Sequence, residues 1–204
     1  MVEAVFLLIA FVIGSIPTGF LIGKAKGIDL RTVGSGNIGS TNAMRVLGKE
    51  AALLTLIGDI AKGSMAVGLA QAVMRWGLVE ITLEPVLFQG FMGIASIMGH
   101  SFSIFLRFRG GKGVATSLGA LLLFSPYVAL FTATIWLTSA RWTRISSLSA
   151  LIAFGLLPGS FYLLDYSPEK VLMATAITFL VYIRHTSNIL RLFKGEEKRM
   201  GEKS

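Results

Sequence analysis

The sequence of 204 residues contains no cysteine, only two histidines and only 15% charged residues. Without cysteine, a disulfide scaffold, a thiol nucleophile and a cysteine-ligated metal are excluded, and two histidines are too few for a multi-histidine metal cage. We therefore expect neither a metal nor a cofactor. A soluble domain usually carries roughly 25% charged residues, whereas 53% of these residues are hydrophobic. The composition predicts an integral membrane protein.

Apolar runs, most of them near the ~20 residues that a helix needs to cross a bilayer, recur along the chain. They cover residues 2–23, 51–74, 85–106, 114–140, 145–164 and 171–183. The first run lacks the positively charged start of a signal peptide, so it predicts a membrane helix. The fourth is interrupted at Ser125-Pro126, where proline either kinks one helix or separates two short ones.

The distribution of basic residues chooses between these possibilities. If Ser125-Pro126 is a tight turn, seven spans result, with the N-terminus outside and the C-terminus in the cytoplasm. Sixteen of the 19 lysines and arginines then lie in cytoplasmic segments, as the positive-inside rule requires. Six spans would place Arg141 and Arg144 on the opposite face from the earlier basic loops. We predict an all-α protein of seven transmembrane helices, some of them short, forming one membrane-embedded domain over residues 1–204 with a basic cytoplasmic tail at 191–204.

The net charge of +8 follows mostly from this topology, because anionic headgroups face the basic loops. A nucleic-acid partner is not expected, since no basic patch carries the interleaved aromatic residues that bind single strands. The expected partners are membrane lipids and an anionic substrate that reaches the cytoplasmic face.

The first cytoplasmic segment contains a glycine-rich polar loop, residues 34–42, followed by Arg45. Its three glycines let the backbone approach a ligand closely, and its serine, threonine and asparagine side chains supply neutral donors. Arg45 adds a cationic fork suited to phosphate, and a helix beginning near Thr41 would add free N–H groups. The loop lacks the Gly-Lys-Ser/Thr ending of a Walker P-loop. A flexible solvated linker is the alternative for this segment alone.

The second cytoplasmic segment places Gly110-Gly111-Lys112-Gly113 directly before an apolar helix. A helix N-terminus, glycine N–H groups and the Lys112 ammonium could converge on one anion there. Taken alone, the segment could also be a basic membrane flank with a glycine turn. Because two loops of this kind lie on one membrane face, we predict a single cytoplasmic pocket that binds phosphate.

Two further polar segments lie at the same face. The serines in 146–149 begin a span, where serines are commonly helix caps. Arg184 and His185 close the last span, where they could also be dipole partners or interfacial anchors. The amphipathic continuation to Lys203 predicts a tail that lies on the surface rather than a catalytic element.

Asp59 and Lys62 lie inside a predicted span, where ionisable residues are costly and often functional. Their spacing of three places them on one helix face, so we expect them to neutralise each other as an ion pair. A proton or substrate pathway is the alternative.

The order and spacing of these segments closely resemble the bacterial acyl-phosphate:glycerol-3-phosphate acyltransferases, a family of seven-span inner-membrane enzymes. The resemblance covers essentially the whole chain and rests on Gly14-Ser15-Ile16-Pro17 and residues 35–42, 99–116, 146–149 and 184–191. The sequence departs from the family pattern at Ile38, Ser40 and Ser103. These departures affect loop stiffness more than ligand chemistry.

The resemblance implies transfer of a fatty acyl group from acyl phosphate to the 1-hydroxyl of sn-glycerol 3-phosphate. The products would be lysophosphatidic acid and inorganic phosphate, in the first step of phospholipid synthesis. It also implies a multi-pass protein of the bacterial inner membrane with its active site facing the cytoplasm. A monomer is compatible with this family, as is contact with the enzyme that makes acyl phosphate.

The residue roles that the resemblance implies fall into two groups. The expected catalytic residues are Lys112, Ser35 and Asn37. The expected substrate-binding residues are Gly36, Thr41, Asn42, Arg45, His100, Gly111, Ser149, His185 and Asn188. Within the second group, His100 is expected to brace its loop rather than to act as a base.

The sequence lacks the His-x4-Asp pair of the better-known glycerolipid acyltransferases, because the fifth residue after His100 is Phe105 and the fifth after His185 is Leu190. Acyl phosphate is a mixed anhydride with a good leaving group, and its own oxygens can accept the hydroxyl proton. The protein would then supply orientation, which can contribute roughly 7–11 kcal/mol, and charge stabilisation. We therefore expect substrate-assisted catalysis.

Two other functions fit parts of the sequence. A small transporter of an organic phosphate or another anion would need a site near the midplane, usually built from broken helices and repeats. Only Asp59 and Lys62 suggest such a site. A non-catalytic assembly subunit would leave the glycine-rich loops without a purpose.

Overall fold

The computed structural model describes residues 1–202, and within them it contains α-helices and one 3-10 turn but no strand. The helices are α1 (Val2–Ser15), α2 (Thr18–Ala25), α3 (Ser40–Leu47), α4 (Lys49–Trp76), α5 (Pro85–Ser101), α6 (Val114–Phe124), α7 (Pro126–Thr143), α8 (Ser146–Gly155), α9 (Leu157–Leu164), α10 (Pro168–Arg184) and α11 (Thr186–Phe193). The 3-10 turn covers Ile104–Leu106, between α5 and α6. The prediction of an all-α protein is confirmed for these residues.

Long apolar helices mark the chain as a membrane protein. Two segments are long and apolar enough to cross a bilayer, namely Val2–Ala25, which includes α1 and α2, and α4. The pair α8 and α9 meets the same requirement when taken together, with a bend of 41° between its halves. The 28 residues of α4 extend about 42 Å at ~1.5 Å per residue, more than the hydrocarbon core requires. The arrangement in seven spans and its orientation stay predictions.

Prolines set two of the helix boundaries. α1 and α2 are separated at Ile16-Pro17. α6 and α7 are separated at Ser125, whose ψ of 88° lies outside the helical region. Pro126 then takes the first position of α7, where its missing N–H would have had no partner within the helix. The Ser125-Pro126 step thus separates two helices, and the first of them, α6, has only 11 residues.

Glycines bring α4 and α6 into direct backbone contact. A Cβ added to Gly63 would lie 2.0 Å from the carbonyl oxygen of Thr116, and one added to Gly119 would lie 1.9 Å from that of Ile60. Small residues permit such approach between membrane helices, where close packing rather than exclusion of water favours association. Because the 110–113 turn directly precedes α6, this contact holds the turn beside α4.

A second packing region joins α8, α9 and α10. Phe154, Leu157 and Phe161 are buried together with Ile177 in one apolar cluster. Phe side chains of this kind bury large apolar areas and dominate the packing around them. The cluster packs the end of α8 and α9 against α10, and this packing sets the relative position of the polar segments attached to these helices.

Candidate active site

The polar segments of the sequence meet at a pocket of about 550 Å³, here called the amphiphilic pocket. Nine of the residues expected at the site line it: Ser35, Asn37, Thr41, Asn42, Arg45, His100, Lys112, His185 and Asn188. One part of its wall is apolar and includes Leu56, Ile60, Leu118, Trp136, Leu137 and Phe154. A cavity with one polar and one apolar end suits a molecule with an anionic head and a hydrocarbon chain.

A smaller cavity of about 310 Å³, here called the polar pocket, adjoins the amphiphilic pocket and shares Ser35, Asn37, Lys112 and Arg191 with it. It is lined by Ser35, Gly36, Asn37, Gly110, Lys112, Ile183, Arg184, Thr186, Ser187 and Arg191. Three cations and several small polar residues favour a compact anion there. Lys112 belongs to both pockets, so its ammonium lies between two sites suited to anions.

Asn42 organises the first glycine-rich loop from within. It is 1% exposed, and its Nδ2 donates to the carbonyl oxygens of Leu30, Val33 and Asn37. Its Oδ1 accepts from the N–H of Ser35 at 2.9 Å. The amide of Asn42 is thus occupied by the loop itself, so this residue shapes the site instead of offering a group to substrate.

The first loop leads into α3 and there contacts α8. α3 begins at Ser40, close to the predicted start at Thr41. The hydroxyl oxygens of Thr41 and Ser146 lie 3.0 Å apart. Arg45, on the same helix, has a buried Nε without a hydrogen-bond partner among residues 1–202. A buried donor without a partner is costly, so Arg45 is available to an anion in the amphiphilic pocket.

Hydrogen bonds from both sides hold the second glycine-rich turn. The N–H groups of Gly110 and Gly111 donate to the carbonyl oxygens of Ser101 at 3.2 Å and His100 at 3.0 Å. From the other side, Arg184 donates through Nε to Gly111 O at 3.1 Å and through Nη2 to Gly110 O at 3.0 Å. Gly113, with φ of 82°, then precedes α6, and only glycine adopts this conformation without strain.

Lys112 projects from this turn into an environment crowded with cations. Burial, together with the positive charges of Arg191, Arg184 and Arg45, lowers the pKa of Lys112 to about 8, although Glu197 opposes this shift. Among residues 1–202, no carboxylate forms an ion pair with Lys112 within 4.0 Å. A partly desolvated ammonium without a counterion is suited to binding a phosphate.

His185 is buried with a defined tautomer. Its Nδ1 lies 2.7 Å from the carbonyl oxygen of Val181, which can only accept, so Nδ1 carries the proton. Burial, together with the charge of Lys112, lowers the pKa of His185 to about 4. The ring is therefore neutral near pH 7, and its Nε2 can accept a hydrogen bond from a hydroxyl group.

Ser149 does not reach the pocket. It is fully buried, and its hydroxyl donates to the carbonyl oxygen of Ile145, four residues earlier in α8, at 2.9 Å. Ser146 and Ser147 line the amphiphilic pocket instead. The expectation that Ser149 binds substrate stays a prediction, and the start of α8 turns Ser146 and Ser147 toward the cavity. Gly111 belongs to the glycine-rich turn but lines neither pocket.

Glu197 is the main site residue that sequence reasoning missed. Its carboxylate accepts hydrogen bonds from Ser147 at 2.6 Å, from Asn188 Nδ2, and from Arg191 Nε at 2.6 Å. Burial alone would raise the pKa of Glu197, but these hydrogen bonds hold it below its usual value. Residues 196, 197, 198 and 200 line the pocket, so the prediction of a purely surface-lying tail is wrong here. The acidic pair at 196–197 was the only available signal.

The structure also pairs one histidine with an aspartate. His100 Nδ1 lies 3.5 Å from Asp59 Oδ1, and Lys62 Nζ lies 2.9 Å from the same oxygen. The expected ion pair between Asp59 and Lys62 is confirmed. The proximity of His100 was not expected, because it joins α4 to α5 rather than neighbours in sequence.

The apolar helices and the cation-rich amphiphilic pocket define a membrane protein with a site for a lipid-like anion. Residues 4–195 match the family model described as glycerol-3-phosphate acyltransferase. The chain is 44% identical over 194 residues to the glycerol-3-phosphate acyltransferase of Paramagnetospirillum magneticum, covering 95% of this chain and 91% of that one. It is 44% identical over 203 residues to that of Methylobacillus flagellatus, covering 99% of each. The chain therefore belongs to the glycerol-3-phosphate acyltransferase family.

Two crystal structures of PlsY, an integral membrane glycerol 3-phosphate acyltransferase, share this fold. The glycerol 3-phosphate form superposes with a TM-score of 0.87 at 38% identity, covering 98% of this chain and 96% of that one. The lysophosphatidic acid form gives a TM-score of 0.86 at 36% identity with the same coverage. The family connects the chain to phospholipid synthesis and leaves the transporter and assembly-subunit alternatives without support.

Proposed function

We propose that this protein transfers a fatty acyl group from acyl phosphate to the 1-hydroxyl of sn-glycerol 3-phosphate, giving lysophosphatidic acid and inorganic phosphate. The observation that supports this most directly is the position of Lys112 between the amphiphilic and the polar pocket. Both substrates carry a phosphate, and a single cation between two anion sites can bring their reacting ends together.

Glycerol 3-phosphate fits the polar end of the amphiphilic pocket. The unpartnered Nε of Arg45 provides a phosphate ligand, and the Asn188 side chain lies beside it in the pocket wall. Neutral His185 offers Nε2 to a glycerol hydroxyl and so orients it. The glycerol 3-phosphate form of the related PlsY agrees with an acceptor site in this fold.

The acyl donor fits with its hydrocarbon chain in the amphiphilic pocket and its phosphate in the polar pocket. Its chain would occupy the apolar wall formed by Leu118, Trp136 and Phe154. Its phosphate would lie in the polar pocket near Ser35 and Lys112, where N–H groups of the glycine-rich loop supply further donors. The lysophosphatidic acid form of the related PlsY agrees with a hydrocarbon chain bound beside the polar groups.

The reaction needs no base from the protein. The 1-hydroxyl oxygen attacks the acyl carbon, the bond between that carbon and the phosphate oxygen breaks, and the hydroxyl proton passes to an oxygen of the departing phosphate. Lys112 stabilises the negative charge on that phosphate, and Ser35 and Asn37 contribute neutral donors. Such prearranged donors contribute about 3–4 kcal/mol each when aimed at developing charge.

The same proposal includes the topology. Seven spans in one membrane-embedded domain, with the N-terminus outside, place the basic loops and both pockets at the cytoplasmic face of the inner membrane. Residues 191–204 would then lie on the cytoplasmic side. Residues of a single chain line both pockets, which supports a monomer. Cysteine substitutions at exposed positions such as Trp76 and Lys194, labelled from one side of sealed vesicles, test this orientation.

A donor comparison tests the reaction. Purified enzyme in detergent is supplied with palmitoyl phosphate or palmitoyl-CoA, with and without glycerol 3-phosphate, and both lysophosphatidic acid and free phosphate are measured. We expect lysophosphatidic acid when palmitoyl phosphate is the donor and none when palmitoyl-CoA is the donor. Release of phosphate from palmitoyl phosphate should depend on glycerol 3-phosphate. Equal or faster turnover with palmitoyl-CoA would reject the proposed donor. Uptake of glycerol 3-phosphate by sealed vesicles without any product would reject acyl transfer altogether.

A further inference from the structure

A buried polar cluster lies behind the glycine-rich turn, and two of its members, Asp59 and His100, also line the amphiphilic pocket. It consists of Asp59 and Lys62 on α4 and His100 on α5, each no more than 4% exposed. Lys62 Nζ also donates to the carbonyl oxygen of Ile16 at 3.0 Å, at the proline break between α1 and α2. Burying charges in a membrane is energetically unfavourable. This free-energy cost favours a role for the cluster beyond joining the helices.

The ring of His100 is the part of this cluster that touches the turn. A Cβ added to Gly111 would lie 2.1 Å from His100 Nε2, so the imidazole packs directly against the Gly111 Cα. On its other edge, Nδ1 faces Asp59 Oδ1 at 3.5 Å. Nε2 is thus packed against the turn, while Nδ1 faces the carboxylate as a charge contact without a hydrogen bond among residues 1–202. This geometry favours a role through the turn over a role as base.

The turn is thus held between the Arg184 guanidinium, which donates hydrogen bonds, and the His100 ring, which makes a packing contact. Arg184 binds the carbonyl oxygens of Gly110 and Gly111 from one side, and His100 supports Gly111 from the other. Lys112 follows directly and points toward both pockets. A tilt of the His100 ring would move the Gly111 backbone and, with it, the Lys112 ammonium.

We propose that Asp59, itself held by Lys62, is a positioning residue that fixes the His100 ring against Gly111 and thereby places Lys112 between the two substrate phosphates. This inference rests on the proposed function of Lys112. Asp59 acts indirectly. Its carboxylate determines the orientation of the His100 ring, the ring determines the position of the turn at Gly111, and the turn determines the position of the Lys112 ammonium. A displacement of about 1 Å in a reacting group can cost up to a hundredfold in rate.

The first test separates binding from turnover. In Asp59→Asn we expect kcat with palmitoyl phosphate to fall about tenfold, while the KM for glycerol 3-phosphate, assigned to Arg45 and Asn188, stays within about twofold. Ser64→Ala is the matched control, since Ser64 lies on the same helix and its hydroxyl donates to Gly119 O at 2.8 Å without reaching the turn. Unchanged kcat in Asp59→Asn, or an equal loss in Ser64→Ala, would overturn the proposal.

The second test asks whether Asp59 acts through His100. His100→Ala alone should also lower kcat about tenfold, and the Asp59→Asn/His100→Ala double variant should be no worse than either, because coupled residues are not additive. A loss of about a hundredfold in the double variant, as expected of independent sites, would reject the chain of contacts.

A third variant distinguishes a loss of stability from a loss of catalysis. Replacing Asp59 alone leaves Lys62 without its counterion, which is strongly destabilising for a buried pair, so Asp59→Asn/Lys62→Met restores neutrality. Its thermal midpoint should approach that of the unmodified enzyme while kcat stays about tenfold low. Recovery of both would show that the cluster is only structural. Near-normal turnover in Lys112→Ala would instead refute the function proposed for Lys112, independently of Asp59.

Discussion

Arg191 and Glu197 form an ion pair across the end of the chain, with Arg191 Nε 2.6 Å from Glu197 Oε2. Arg191 lies in the last helix, α11, and Glu197 belongs to the tail beyond it. Since the same carboxylate also binds Ser147 and Asn188, this pair attaches the tail to the pocket. The ion pair converts a segment that composition describes as a basic tail into part of the pocket wall.

Glu197→Gln tests this attachment. The amide removes the negative charge and one strong acceptor, so Asn188 and Arg191 lose their fixed positions. Hydrogen bonds to a charged group contribute about 1.5–3 kcal/mol, and we expect the KM for glycerol 3-phosphate to rise about tenfold or more. Glu202→Gln, in the same tail and bonded to the Arg199 N–H, is the control and should leave KM unchanged. Equal KM values for both variants would contradict the attachment.

Lys112→Ala removes the cation shared by the two pockets. Because charge develops on the departing phosphate, we expect kcat/KM to fall about a hundredfold or more. The measurement is lysophosphatidic acid formed from palmitoyl phosphate by purified enzyme. Lys26→Ala, which removes an exposed lysine at the end of α2, should retain full activity. Turnover near that of the unmodified enzyme in Lys112→Ala is incompatible with a phosphate ligand at this position.

The pH dependence follows from the same lysine. The pKa of Lys112 is lowered to about 8, and only its charged form binds phosphate, so kcat/KM should fall as the pH rises through about 8. The pKa of His185 is about 4, so this ring stays neutral and adds no limb between pH 5 and 8 by itself. In Lys112→Arg the alkaline limb should move to higher pH, because a guanidinium stays protonated. An alkaline limb that does not move would assign it to another group.

Gly111→Ala introduces a methyl group where His100 already lies. The added Cβ would be 2.1 Å from His100 Nε2, so the ring or the turn must shift, at a cost of about 1–3 kcal/mol. We expect a lower thermal midpoint and at least a tenfold loss of kcat, roughly what a small misplacement of a reacting group costs. Gly159→Ala is the matched control, since nothing lies within 4 Å of its added Cβ, and it should behave like the unmodified enzyme.

We expect the apolar part of the wall of the amphiphilic pocket to select acyl donors by the length of their acyl chain. Ala133 lines the amphiphilic pocket, and Ala133→Phe should fill part of the space available to the acyl chain. We expect the ratio of kcat/KM for lauroyl phosphate over palmitoyl phosphate to rise about tenfold or more, at ~0.8 kcal/mol per methylene that no longer fits. Leu130→Phe, on the same helix but 68% exposed, should leave the ratio unchanged. A shift in both variants would show that the groove lies elsewhere.

The sequence predicts the parts of this molecule that depend on local pattern. Proline determines the separation at Ser125-Pro126, and a spacing of three determines the ion pair between Asp59 and Lys62, since both follow from the geometry of a single helix. The glycine-rich loops are also recognisable from the sequence, because several glycines beside a cation are typical of a loop that binds an anion.

Other features depend on contacts between distant segments and could not be predicted in this way. Ser149 was expected at the site, but the register of α8 presents Ser146 and Ser147 instead, and one residue of difference in helix start rotates every side chain by about 100°. Glu197 enters the site only because the tail turns back to the pocket. The approach of His100 to Asp59 requires α4 and α5 to be packed side by side.

The brevity of α6 has a consequence for the lipid around the protein. Its 11 residues extend about 16 Å at ~1.5 Å per residue, roughly half of the hydrocarbon thickness of a bilayer. If α6 spans the membrane, a helix this short creates hydrophobic mismatch, which thinning of the bilayer beside it would relieve. Since α6 begins at the turn that carries Lys112, the deformed lipid would lie next to the pocket. An acyl donor would then travel a shorter distance between the bilayer and the polar groups than a flat membrane imposes.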